Sequence, residues 1–179
     1  MIISLIGYRG CGKSSVAPLL AKRLHCESAD SDDVIETRAG KSIRQIFSDD
    51  GEAAFRDLET QVLANLLQRD PIVVSAGGGA VLAEINRQRM RQAGPVVWLQ
   101  ASAEILAERI ARDATSGQRR PALTGDSAVR EVSDVLAVRL PLYAATATLT
   151  VDSEQLSPAE IVEQILSDLN SGIVAERET

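Results

Sequence analysis

The chain has 179 residues, 45% of them hydrophobic, which is enough to bury the core of one globular domain. Acidic residues (25) outnumber basic ones (19) and aromatics make up 3%, a balance that excludes an extended basic surface for nucleic acid. No stretch nears the roughly eighteen apolar residues of a membrane helix, and two cysteines, Cys11 and Cys26, are too few for a disulfide framework.

The first element in chain order is Ile2–Ile6, a continuous apolar run that reads as a strand buried on both faces. It meets glycine at once, so the start reads as lacking a secretory leader and the chain as a soluble, cytoplasmic protein. Next comes Gly7–Ser14, GYRGCGKS, which fits G-x-x-x-x-G-K-S. Gly7, Gly10 and Gly12 let successive backbone N–H groups converge on a phosphate. Lys13 then reaches the terminal phosphates, and Ser14 offers a hydroxyl to Mg²⁺. The helix over Lys13–Leu24, with Ser15 in its first turn, adds its positive end. A nucleoside triphosphate site from Gly10 to Ser15 follows. Cys11 lies inside the loop, where aligned N–H groups favour a thiolate; a small residue that merely fits is the simpler reading. His25, the single histidine, reads as structural.

A weak strand ends at Asp30, in ADSDD. Asp30 and Asp32 are two apart, so on an extended segment both side chains point one way. One carboxylate then serves a magnesium water shell and the other an acceptor hydroxyl. An N-cap at Ser31 or Asp32, with acids in the first turn, explains the same residues, and composition does not decide between the two. Asp33–Gly51 reads as two short helical pieces broken by Gly40 and Gly51. Over Glu52–Leu67, Phe55, Leu58, Val62 and Leu66 form an apolar stripe, and Arg56 falls off it, as a solvated surface arginine does.

The run Ile72–Ala76 is the third strand, with no acid at its end for a metal shell; the triplet Gly77–Gly79 follows it. Three glycines there expose backbone at the carboxyl end of a sheet, where open α/β folds bind ligands. Val96–Leu99 is a fourth strand, and Ala101–Arg112 a helix with Ser102 as its N-cap. The segment 113–126, DATSGQRRPALTGD, has no hydrophobic period and reads as a functional insertion. A strand over Thr148–Val151 and a helix over Pro158–Leu169, capped by Ser157, complete the pattern; residues 170–179 read as a flexible tail. This alternation predicts a single three-layer α/β/α domain over 1–169, on a five-stranded parallel sheet.

Six segments, GYRGCGKS, DSD, GKSIRQIFSDDGEAAFRDLE, SAGGGAVL, RRPALTG and RLPLYAATA, in this order and spacing, resemble the shikimate kinase family over about Met1–Leu169. The resemblance implies an adenylate-kinase-like P-loop fold with a lid at about 113–126. It implies transfer of the γ-phosphate of ATP to the 3-hydroxyl of shikimate with Mg²⁺, on the route to chorismate and the aromatic amino acids, by a monomer. Carried over by motif, Asp30 helps order the Mg²⁺ environment, and Asp32 bonds the shikimate hydroxyls as base or orienting group. Arg56 and Arg139 grip the shikimate carboxylate, while Gly78 approaches the ring with Gly79 beside it. Arg120, before Pro121 in the lid, reaches the transferring phosphate alongside Lys13. Arg109 lies against adenine, with Arg112 as the alternative, and Arg119 has no role in the pattern. Departures are mild: Ala122 replaces a leucine of the lid motif, Ser31 stands where threonine is common, and Asp33 adds a third acid. Two rivals remain, a gluconate-type kinase of the same fold and a nucleotide-binding regulator without catalysis.

Overall fold

The computed structural model describes residues 1–112 and 126–177, with side chains throughout except at 126–127 and 172–177. Arg119, Arg120, Ala122 and the predicted lid fall outside the described residues up to Asp126, where a helix begins. Five strands, β1 (Ile2–Ile6), β2 (Glu27–Asp30), β3 (Ile72–Ser75), β4 (Val96–Gln100) and β5 (Leu149–Asp152), form one parallel sheet in the order β2-β3-β1-β4-β5. Burial follows composition. The apolar runs β1, β3 and β4 lie inside the sheet, and only Gln100 among their residues is exposed. The polar ESAD of β2 and the half-exposed LTVD of β5 take the edges, so three strands are buried on both faces.

The chain leaves β1 toward β2 and β3 on one side, and then passes β1 to reach β4 and β5 on the other. The carboxyl end of β1 is therefore the place where crossovers diverge, the usual ligand crevice of such sheets. Helices α1 (Lys13–Leu24) and α8 (Pro158–Arg177) pack together over one face. On the other lie α4 (Gly51–Leu66), α5 (Glu84–Ala93) and α7 (Asp126–Thr146), with α2 (Ser31–Ala39) and α3 (Ile43–Asp49) against α4. Helix α6 (Ala103–Arg112) packs on α7.

Boundaries agree with local signals where those are strong. Helix α1 spans the expected residues, α2 ends at Gly40 (φ +67°), and α3 opens on a Ser42–Gln45 capping box. Ser157 precedes α8 in a similar exchange with Glu160, whose carboxyl is held below its ordinary pKa by the Ser157 hydroxyl and N–H. Helix α8 continues past the expected Leu169 to Arg177. Two helices had no visible period. EINRQRMRQA of α5 buries only Asn86 and Met90, too few apolar residues to show a stripe. Helix α7 carries Pro141 in its interior, which argues against a helix in sequence, yet it runs on to Thr146.

Leu63 is fully buried on α4, the helix that carries Arg56. Leu63→Ala is expected to lower stability by about 2–5 kcal/mol in urea unfolding. A loss well below about 1 kcal/mol would mean that α4 is not packed as described.

Candidate active site

The glycine loop is crowded from both sides. Gly7 has φ +138°, and a Cβ there would stand 2.5 Å from the Leu99 carbonyl oxygen and 2.8 Å from Cys11 Sγ, so only glycine fits. The loop then turns into α1 at Gly12 (φ +101°), where no side chain caps the helix and its first turn has no acid. Its amino end therefore keeps its positive field for a ligand. Lys13 is buried, and Nζ donates to the carbonyls of Gly7 (2.8 Å) and Tyr8 (3.0 Å) and approaches Cys11 Sγ at 3.6 Å. Cys11 is itself buried, so the thiol belongs to the loop's packing and not to an exposed nucleophile.

Asp30 ends β2 and joins three elements. Oδ1 accepts the Asp32 backbone N–H at 3.0 Å, and Oδ2 accepts the hydroxyls of Ser14 (2.8 Å) and Ser75 (2.9 Å). The N-cap of α2 is thus Asp30, neither Ser31 nor Asp32, and the extended Asp30–Asp32 geometry does not occur because the helix starts at Ser31. The two acids still face one cleft, brought there by a strand-to-helix turn. Ser31 Oγ accepts the Gly77 N–H at 2.8 Å, which ties this turn to the glycine triplet.

None of the three triplet glycines has a positive φ; they are small because other groups press on them. A Cβ at Gly77 would lie 2.6 Å from Asp32 Oδ1 and 3.1 Å from Glu59 Oε1, and one at Gly79 would collide with the Arg56 guanidinium. Gly78 backs on the glycine loop, 3.4 Å from the Gly7 carbonyl oxygen by the same measure. Arg56 is therefore not a solvated residue: the flank of α4 that carries it is covered by the triplet. Its Nη1 pairs with Glu59 Oε2 at 2.8 Å and its Nη2 with Glu52 Oε1 at 3.2 Å. Burial alone would lower the guanidinium's pKa, but Glu59 and Glu52 outweigh it and hold the pKa above the ordinary value. Arg139, on α7, donates Nη1 to the Gly78 carbonyl at 3.2 Å and lies over the Tyr8 ring.

A cleft of about 580 Å³ runs from the glycine loop past Asp30, Asp32 and Gly78 to Arg109. Arg109 donates Nη2 to the carbonyls of Ser153 (2.7 Å) and Glu154 (3.0 Å), while Glu154 Oε1 accepts the Ser102 N–H at the start of α6. Arg112 is 78% exposed and pairs with Glu108, so of the two alternatives only Arg109 reaches the cleft. Arg56, Gly79 and Arg139 lie beside Gly78, at the edge of this cleft. Sequence reasoning passed over Glu59, Ser75 and Tyr143, whose hydroxyl donates to the Gly78 carbonyl at 2.6 Å. Glu59 left a signal: it lies four residues after Phe55 and three before Val62, on the buried stripe, where a carboxylate requires a partner.

A phosphate-binding loop, a carboxylate–hydroxyl pair beside it and an arginine pair one glycine away define a P-loop kinase of small anionic molecules. The family model "Shikimate kinase" matches residues 9–170. A shikimate kinase of Rhodopirellula baltica is 46% identical over 94% of this chain and 90% of its own length. Among solved structures, shikimate kinase of Acinetobacter baumannii in complex with shikimate superposes with a TM-score of 0.88 at 36% identity, covering 96% of this chain and 93% of that one. The Aquifex aeolicus enzyme gives 0.84 at 34% identity, covering 97% and 98%. The chain belongs to the shikimate kinase family.

Asp30→Ala removes the acceptor of three hydrogen bonds from three elements. Stability without nucleotide is expected to fall by about 1–3 kcal/mol in urea titration. An unchanged midpoint would show that α1, β3 and α2 keep their places without it.

Proposed function

We propose that the chain phosphorylates shikimate: it transfers the γ-phosphate of ATP to the 3-hydroxyl, giving shikimate 3-phosphate and ADP, on the route to chorismate and the aromatic amino acids. The observation that carries this reading is the placement of Arg56 and Arg139 against consecutive glycines, Gly79 and Gly78, beside the glycine loop. Two guanidinium groups there suit a carboxylate on a small, non-aromatic polyol, and gripping it fixes which hydroxyl faces the phosphate.

The nucleotide half is assigned to Gly10–Ser15, with Arg109 toward the adenine. Lys13 gives up the Gly7 and Tyr8 carbonyls for the β- and γ-phosphates; its amine is within reach of the loop that would hold them. The Ser14 hydroxyl and the Asp30 carboxylate, 2.8 Å apart, are hard oxygen donors and fit Mg²⁺. Among the described residues no group of three or more His, Cys, Asp or Glu is gathered as a metal cage, which suits a cation that keeps waters and phosphate oxygens as its other ligands. When bound, Mg²⁺ supplies charge neutralisation on the phosphates. Asp32, pressed against Gly77, accepts or orients the acceptor hydroxyl. Arg120, outside the described residues, is assigned to the transferring phosphate within a lid over about 113–126. Residues 1–169 act as one domain, whose last helix runs on to Arg177. The enzyme works as a cytoplasmic monomer, independent of nucleic acid and membranes; no helix among the described residues is long and apolar enough to cross a bilayer.

ADP release by the purified chain with ATP and Mg²⁺ is expected with shikimate and not with gluconate or with neither. Release with gluconate would favour a gluconate-type kinase, and ATP binding without release would favour a regulator. Arg56→Lys keeps the charge but loses the planar fork. The KM for shikimate is then expected to rise about tenfold or more, with the KM for ATP within about twofold. An unchanged shikimate KM would remove Arg56 from the carboxylate.

A further inference from the structure

Helix α7 holds the glycine triplet at the Gly78 carbonyl oxygen, and it does so twice. Tyr143 donates its hydroxyl at 2.6 Å, and Arg139, one helical turn earlier on the same face, donates Nη1 at 3.2 Å. Tyr143 is wholly buried, and its ring stacks on Trp98 of β4 at 5.8 Å between centroids. The phenol is therefore located by the sheet and not by solvent. Burial pushes its pKa well above the ordinary value, so the hydroxyl stays protonated and remains a donor.

Holding that carbonyl has a consequence one atom away. The peptide between Gly78 and Gly79 is planar and trans, so a C=O aimed at α7 sends the Gly79 N–H in the opposite direction. Gly79 is buried, and among the described residues nothing accepts its N–H. A buried backbone donor without an acceptor is costly unless a ligand completes it. The same glycine is pressed against the Arg56 guanidinium, so a backbone donor and a charged one are close neighbours.

We propose that Tyr143 is a positioning residue for phosphoryl transfer: with Arg139 it locks the Gly78–Gly79 peptide so that the Gly79 N–H is presented, beside Arg56, to an oxygen of the acceptor. The inference rests on the shikimate reading above. It has the Tyr143 hydroxyl act through the Gly78 carbonyl, and makes that hydroxyl matter for the acceptor alone.

Tyr143→Phe keeps the ring and its stacking on Trp98 and deletes only the hydroxyl. The KM for shikimate is expected to rise about three- to tenfold, the loss of one well-placed hydrogen bond, with the KM for ATP within about twofold. Trp98 is the chain's only tryptophan, so its emission gives a second measure: the shikimate concentration that perturbs it should rise by the same factor. Equal losses for ATP and shikimate, or loss of ADP binding, would make Tyr143 a residue of the core only and overturn the proposal. So would an unchanged shikimate KM. If the unmodified chain releases no ADP with shikimate, the function falls and the inference with it; release by the unmodified chain with an unmoved variant removes the inference alone.

Discussion

Much of this site hangs on one carboxylate. Asp30 stands where β2 ends and α2 begins, and it accepts from the backbone of α2, the hydroxyl of Ser14 on α1 and the hydroxyl of Ser75 at the end of β3. Each bond fixes a different element at the carboxyl end of the sheet. The negative charge also lies at the amino end of α2, where the helix field favours it. Ser14 is consequently oriented before any ligand arrives, and Ser75 is tied to the strand that leads directly into the glycine triplet. Strand β3 has no acid at its end, and the site thus recruits one from the neighbouring edge strand, β2.

A second constraint is closeness. The triplet follows β3, and three charged side chains lean on it: Asp32 and Glu59 at Gly77, Arg56 at Gly79. The one cation of these three is shared between acids. Arg56 sits between Glu59, which is almost wholly buried, and the more exposed Glu52, and its guanidinium has more N–H groups than those bonds use. The acids thereby hold the fork in place while leaving donors for an anion. A lone buried arginine would be costly, and a fully satisfied one would have nothing to offer.

What the sequence made legible tracks the range of the interaction responsible. The glycine loop, α1 and the interior strands are written in contiguous residues, so Gly7–Leu24 and the cores of β1, β3 and β4 could be read directly. The geometry of Asp30 and Asp32 could not, because it depends on whether Ser31 continues a strand or opens a helix, and the Ser31–Gly77 bond that accompanies the turn crosses the chain. Arg56 looked exposed because its own helix places it off the apolar stripe; its burial comes from Gly79, far away in sequence. Helix α5 escaped for the converse reason. It contributes little to the core, but Asn86 holds the Ala80 carbonyl and Arg87 those of Val81 and Leu82, fixing the one-turn 3-10 helix that follows the triplet.

The triplet also borders both the glycine loop and the charged cluster of Asp32, Glu59 and Arg56. On one side Gly78 meets the glycine loop at Gly7 and Arg9; on the other, its neighbours meet Asp32 and Arg56, the residues assigned to the acceptor. Phosphoryl transfer needs donor and acceptor in direct contact, with the reacting atoms about 3–3.5 Å apart, so the elements that hold the two must pack closely beside one another. Backbone without side chains permits that close packing. Its carbonyl at Gly78 is held by α7, and its N–H at Gly77 by Ser31 of α2. The triplet is therefore both slim and stiff, so the glycine loop on one side and Asp32 and Arg56 on the other keep fixed places close together.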